Sequence, residues 1–200
     1  MWASLLLTAR SAPQKISVYY KNGQYFLDHS FNPDADAKAA FQDNRDMTGW
    51  YDLQVEGRRD KKDMTVARAA GYAEGYLTRH LLLPHMNNVK AHLCAEFIEC
   101  ENDEYPDQLI TTMEKNLNWT LDYIETGTTS GFLSSIKLTV EQINGMLDAY
   151  NAGVQEEDEL TLLDMWMYFA HGDLFNLARM IGVAKPDADI SYRRETAFVG

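Results

Sequence analysis

Cys94 and Cys100, six positions apart, are the two thiols of this 200-residue chain. Two cysteines cannot fill a four-ligand zinc site by themselves. They are either two separate buried thiols or a local disulfide closing a short loop, and the second needs an oxidising compartment. His80, His85 and His92 are five and seven residues apart, which does not fit the H-x₃-H ligand pattern; only His92 and Glu96 stand one helical turn apart. Asp34 and Asp36 begin like a calcium loop, but the glycine and the closing glutamate are missing, so a solvated loop is expected. Ser130 sits in G-x-x-S-G rather than G-x-S-x-G, with no strand leading into it, and is expected to be a loop residue. Asn118-Trp119-Thr120 is the one N-x-S/T sequon, which makes Asn118 a glycosylation candidate if the chain is secreted. These residues assemble no catalytic constellation, no metal site and no cofactor site.

The elements that would position them are organised around residues 48–84. The first part, TGWYDLQVEG, has Trp50, Leu53 and Val55 as apolar positions between Gly49 and Gly57, and is expected to be a strand. The second, TVARAAGYAEGYLTRHLLLP, is expected to be a helix of about five turns. Asp63 or Thr65 would cap it, Val66, Ala70, Ala73 and Leu77 would share one face, and Pro84 would end it. Ala67, Ala69, Ala70, Gly71, Ala73 and Gly75 leave that helix almost without bulk. A glycine inside a helix costs roughly 1 kcal/mol relative to alanine, so two glycines four apart point to a very close neighbour, expected here to be a sheet. The same spacing occurs on membrane dimerisation faces, but Arg68, Glu74, Arg79 and His80 argue against a membrane span.

Upstream, ISVYYKNGQYFLDHSF is a hairpin signal, because Asn22-Gly23 accommodates the positive φ angles of a type I′ turn. Residues 32–47 are polar and are expected to form a turn and a short element around 35–41. Downstream, 85–100 should continue as helix and 102–107 as a loop. Residues 107–125 are expected to be helical through Leu109, Met113, Leu117, Leu121 and Ile124, and 126–131 to be a connector. Leu133, Ile136, Val140, Ile143, Leu147 and Tyr150 give the cleanest amphipathic seam. Residues 160–181 carry the same spacing and are expected to form one buried helix; their methionine and aromatic content also suits a lipid groove. Residues 1–12, MWASLLLTARSA, read as a signal peptide too short to span a bilayer. Residues 182–200 form a polar tail.

The strand with TGW, the loop with Asp63 and ARAAGYAEGYLT resemble the phospholipase B-like proteins, as do MEKNLNWT, IKLTVEQINGMLDAY and MWMYFAHGDLFNLARM in the same order. The resemblance runs from about Gly49 to the C-terminus. It implies a lysosomal or secreted hydrolase with the N-terminal-nucleophile fold, two stacked sheets between helical layers. The chain is then an α+β, helix-rich N-terminal portion of that αββα sandwich, opening on a β-hairpin. Residues 13–185 would form this portion and 186–200 a linker toward a processing junction. The resemblance also favours the Cys94–Cys100 disulfide, since the family carries a closely spaced pair between its second and third helical stretches.

In that family the nucleophile is a cysteine that becomes a new N-terminus on processing. It follows a linker that comes after a tripeptide such as His171-Gly172-Asp173, so the resemblance places it beyond Gly200 and gives the role to neither Cys94 nor Cys100. The expected partner is the C-terminal chain of the same precursor, and the expected substrate a phospholipid or related acyl compound. Acyl ester or amide hydrolysis is expected only when the C-terminal portion completes the chain. The alternatives are a truncated, non-catalytic family member and a stand-alone helical lipid-binding protein. A hairpin and one further strand cannot close a sandwich, so the chain alone should be poorly soluble or molten.

Bulk properties narrow the partners. At 46% hydrophobic residues the chain can bury a core, which excludes global disorder. A formal charge of −12 disfavours nucleic acid, whose phosphates require clustered Lys and Arg, and equally disfavours anionic membrane surfaces.

Overall fold

The computed structural model describes residues 12–128 and 130–186. The signal-peptide reading of 1–12 and the linker reading of 186–200 lie outside these residues, apart from Ala12 and Pro186. By compactness the chain divides into two units: 1–79 with 134–159, and 80–133 with 160–200.

The first unit begins with the expected hairpin. Asn22 and Gly23 take φ values of 53° and 79° and join strand β1 (Gln14–Lys21) to β2 (Gln24–Asp28). The short element expected near 35–41 is a full strand, β3 (Ala37–Asp43), followed by the single turn α1 (Arg45–Thr48) and strand β4 (Tyr51–Gly57). The sheet thus has four strands rather than a hairpin and one more. Their order is β2-β1-β3-β4, every neighbour antiparallel. AKAAF carries little strand propensity; β3 is a strand because it lies between two others and buries Ala37, Ala39 and Phe41. Asp36, expected in a solvated loop, is buried. Its carboxylate accepts the Tyr20 N–H at 2.8 Å and so pins the start of β3 to β1. Only Asp34 fits the solvated reading.

Cross-strand register puts Ile16, Ala39 and Val55 on one face, together with Val18, Ala37, Phe41 and Leu53. The sheet meets two long helices of its own unit, through Tyr25 stacked on Tyr72 and bonded to Asp148. The first, α2 (Asp63–Glu96), does not stop at Pro84 but contains it. Proline removes one backbone donor and costs about 3 kcal/mol; burial of Leu93 and Phe97 further along offsets this. The portion of α2 up to Arg79 belongs to the first unit, and the remainder to the second.

The glycine side of α2's small surface does not lie on the sheet as expected. Its glycines meet α4 (Gly131–Asn151): a Cβ on Gly71 would overlap the Gln142 carbonyl oxygen, and one on Gly75 would stand 2.9 Å from the Cα of Met146. Reciprocally, a Cβ on Gly145 would overlap the Arg68 carbonyl oxygen. Tyr72, stacked on Tyr25 at 3.8 Å, faces the sheet instead. Glu74 is partly buried beside this crossing, where Gln142 donates to it at 3.2 Å. Burial raises its carboxyl pKa against the opposing effect of that hydrogen bond. The folded state therefore holds the proton more tightly than the unfolded chain, and the charge costs stability that returns as pH falls through the raised value. Glu74→Gln is expected to raise the thermal midpoint at pH 7 by roughly 2–4 °C. The gain should shrink to nothing at pH 4; a gain equal at both pH values would contradict the assignment.

In the second unit, α2 ends at a turn from which Leu93, Phe97 and Ile98 pack with Leu109 and Met113 of α3 (Asp107–Thr126). The helix expected over 160–181 is two, α5 (Leu162–Phe169) and α6 (His171–Ile181). The chain turns at Ala170, whose carbonyl accepts the Asp173 N–H at 2.8 Å. Thr161 and Asp164 start α5 with a reciprocal capping box. Met167 and Leu174 of the expected seam are buried in the same core, where Ala178 joins them and Leu163, Ala170, Leu177 and Ile181 are only partly buried.

Candidate functional site

Both thiols are consumed in one bond. Cys94 and Cys100 form a disulfide with Cα atoms 5.3 Å apart, so the alternative of two separate thiols is set aside. It staples the turn that leaves α2, and the same turn is held by Glu99 N–H donating to Val183 O and Lys185 N–H donating to Phe97 O, each at 2.9 Å. A disulfide sulfur is neither a nucleophile nor a metal ligand, since both roles require thiolate.

The other candidates also have structural employment. Ser130 accepts the Leu133 N–H at 3.1 Å and so serves the first turn of α4. His171 places Nδ1 2.8 Å from the Tyr168 carbonyl, one turn back, and its ring lies beside that tyrosine. His85 meets the same Tyr168 edge-on; His92 packs edge-on against Phe97. Among the described residues, no group of three or more His, Cys, Asp or Glu side chains could hold a metal ion. Asn118 is exposed on α3, so a glycan there would meet solvent, while Thr120 of the sequon is buried and donates to the Asn116 carbonyl at 2.9 Å. No helix among the described residues is long and apolar enough to cross a membrane.

Two cavities lined by described residues lie within the second unit, one of about 430 Å³ around the acidic loop at 99–107 and one with apolar walls. The latter is a cleft of about 220 Å³, with Leu83, Met86, Val89, Ile110, Leu163 and Met167 among its apolar walls. Lys90 and Glu104, paired at 2.7 Å, stand at its polar part with Tyr105. Burial pushes the Tyr105 phenol up to about 12, so it stays a neutral hydrogen-bonding group at physiological pH. The cleft can shelter a short apolar group next to an ion pair. No serine, threonine or cysteine is among its lining residues. Sequence periodicity could not find it, because its walls come from three separate stretches, 83–90, 104–110 and 160–171.

In the first unit the polar cluster is structural. Arg68 donates to the Tyr25 hydroxyl at 2.8 Å and to Asp148 at 2.6 Å, and reaches Glu141 at 3.3 Å, while Tyr25 donates to Asp148 at 2.5 Å. No spacing rule links residues 25, 68, 141 and 148, so only the fold reveals the set.

Comparison with known proteins gives the following. Residues 37–199 match the family described as Phospholipase B. The match starts at the first residue of β3, earlier than the Gly49 from which the motifs are recognisable. Phospholipase B-like protein D of Dictyostelium discoideum is 30% identical over 165 residues, which is 82% of this chain and 28% of that protein. The proteins named putative phospholipase B-like 2 are 33% identical in Mus musculus, over 64% of this chain and 21% of theirs, and 30% identical in Homo sapiens, over 66% and 22%. The chain thus spans between 21% and 28% of the length of these relatives.

Proposed function

This chain belongs to the phospholipase B family, and from that premise we propose that it is the N-terminal portion of an acyl hydrolase acting on phospholipid esters or related amides. Its part is to scaffold an αββα sandwich whose nucleophile stands outside residues 1–200. The observation that carries this reading is the Cys94–Cys100 bond: a family chemistry built on a cysteine finds both thiols of this chain closed to it. The relatives, nearly four times as long as the matched stretch, leave ample polypeptide to supply another.

The chemistry proposed for the completed site uses a cysteine at a new N-terminus. Its α-amino group, with an ordinary pKa of about 7.7–8.0, takes the thiol proton. The thiolate attacks the acyl carbonyl, and fixed donors hold the oxyanion. A lysosomal or secreted location accords with a disulfide, which persists in oxidising compartments. In that setting Asn118 carries a glycan.

A stand-alone lipid binder has less support. Sites that enclose a drug-sized ligand run to about 300–1,000 Å³; the apolar cleft offers about 220 Å³, and the other cavity, of about 430 Å³, is lined by Glu99, Glu101, Glu104 and Asp107, which do not suit an acyl chain.

The test is intact-mass analysis of the native protein together with a phospholipid hydrolysis assay. A second chain should accompany this one, and the isolated 200 residues, poorly soluble on their own, should release no fatty acid above the protein-free rate. Turnover by the isolated chain would overturn the proposal.

A further inference from the structure

The four-stranded sheet has two edges, and they differ. At one edge β2 is a five-residue strand. At the other, β4 pairs in unbroken register with β3 over all seven residues, from Ala37↔Gly57 to Asp43↔Tyr51, and no described strand pairs with its far side. Long regular edges are usually blunted by lysine, proline or a bulge; YDLQVEG has none of these.

Its backbone polarity can be assigned. Arg58 N–H donates to Asp36 O at 2.9 Å, and the two-residue alternation of an antiparallel ladder then turns the N–H groups of Tyr51, Leu53 and Val55 to the open side. The side chains continue the sheet's covered face past its cover. Ile16 and Ala39 are 0% and 1% exposed, whereas Val55, paired with Ala39, is 37% exposed. Trp50, at the start of the strand, is 75% exposed. The opposite face presents Asp52, Gln54 and Glu56.

We propose that β4 is the docking edge for a β-strand from the polypeptide that this chain's longer relatives carry outside the matched stretch, which extends the sheet by main-chain pairing with Tyr51, Leu53 and Val55. The incoming strand alternates apolar residues, set against Leu53 and Val55, with polar or basic ones on the face of Asp52 and Glu56. Main-chain hydrogen bonds supply affinity in such strand addition, and alternate side chains supply specificity. This rests on the reading of the chain as the N-terminal portion of a longer hydrolase.

The test co-expresses the full chain with the part of Dictyostelium phospholipase B-like protein D that lies outside its region of similarity, and reads capture and amide hydrogen exchange. Exchange at Leu53 and Val55 should slow at least tenfold in the complex. Val55→Pro, which removes a donor facing the open side, and Val55→Lys should each cut capture at least tenfold. Leu27→Lys, at the β2 edge, should not. Unchanged exchange at Ala39 in the variants checks that the sheet still folds. Capture unaffected by either Val55 variant would overturn the edge assignment and leave the hydrolase reading standing; no capture at all would overturn both. Slow exchange at Val55 in the chain alone that is lost on deleting residues 1–11, or on dilution, would assign the edge to the chain's own N-terminus or to a second copy, and overturns the proposal.

Discussion

Gly71→Ala is expected to destabilise the chain by about 2–3 kcal/mol, the range of core overpacking, even though alanine is the better helix former by about 1 kcal/mol. The sign follows from geometry. The added methyl would occupy the position of the Gln142 carbonyl oxygen and lie 3.0 Å from its Cα, and neither atom belongs to a flexible side chain. Relief requires α2 and α4 to move apart, which also loosens the contacts of Gly75 with Met146 and of Gly145 with Arg68. Ala149, buried and with its Cβ 3.1 Å from where a Gly75 methyl would stand, would lose part of its cover. At 2–4 °C per kcal/mol for a chain of this size, the thermal midpoint should fall by roughly 4–12 °C. Gly172→Ala in α6 is the internal control. Nothing lies within 4 Å of its missing methyl, so helix propensity alone should act and stability should rise by up to about 1 kcal/mol. Equal shifts at the two sites would show that close approach is not what the α2 glycines provide.

Arg68→Met is expected to cost about 3 kcal/mol, at the low end for breaking a buried ion pair. Arg68 is the one cation among Tyr25, Glu141 and Asp148, and its side chain is only 19% exposed. Burial opposes its charge, yet the bonds to Tyr25 and Asp148 outweigh that and hold it above the ordinary arginine value. Burial, then the bond to Asp148, raises Tyr25, which therefore remains a proton donor at any working pH. Without the guanidinium, two carboxylates two turns apart on α4 lose their counter-charge while still partly covered. The effect stays near the lower bound because Asp148 is 37% exposed and water compensates in part. A double-mutant cycle with Asp148→Leu isolates the pair. A coupling of at least about 1 kcal/mol is expected; a coupling near zero would mean that solvent already screens the contact and that the packing of Tyr25 on Tyr72 alone joins β2 to α2.

Local chemistry determined much of this molecule. Asn22-Gly23 specifies the hairpin because few other residue pairs tolerate two positive φ angles in succession. The three- and four-residue steps of 107–125 and 133–150 specify α3 and α4, since a helix repeats every 3.6 residues whatever it packs against. The alanines and glycines of 67–75 announced a close approach, and their spacing carried that message without naming the neighbour. What only the tertiary structure decided is each choice among partners. Helix α4, not the sheet, fills the glycine groove; AKAAF becomes a strand because two others flank it; α2 passes Pro84 because residues beyond it find a core. The seam of 160–181 bends at Ala170, though its spacing runs on unbroken. Cys94 and Cys100 bond because the end of α2 turns them to face each other. Periodicity records the face an element must bury, whereas the surface that buries it depends on chain segments dozens of residues away. That is why the scaffold was legible in one dimension, and the open β4 edge and the Arg68 cluster only in three.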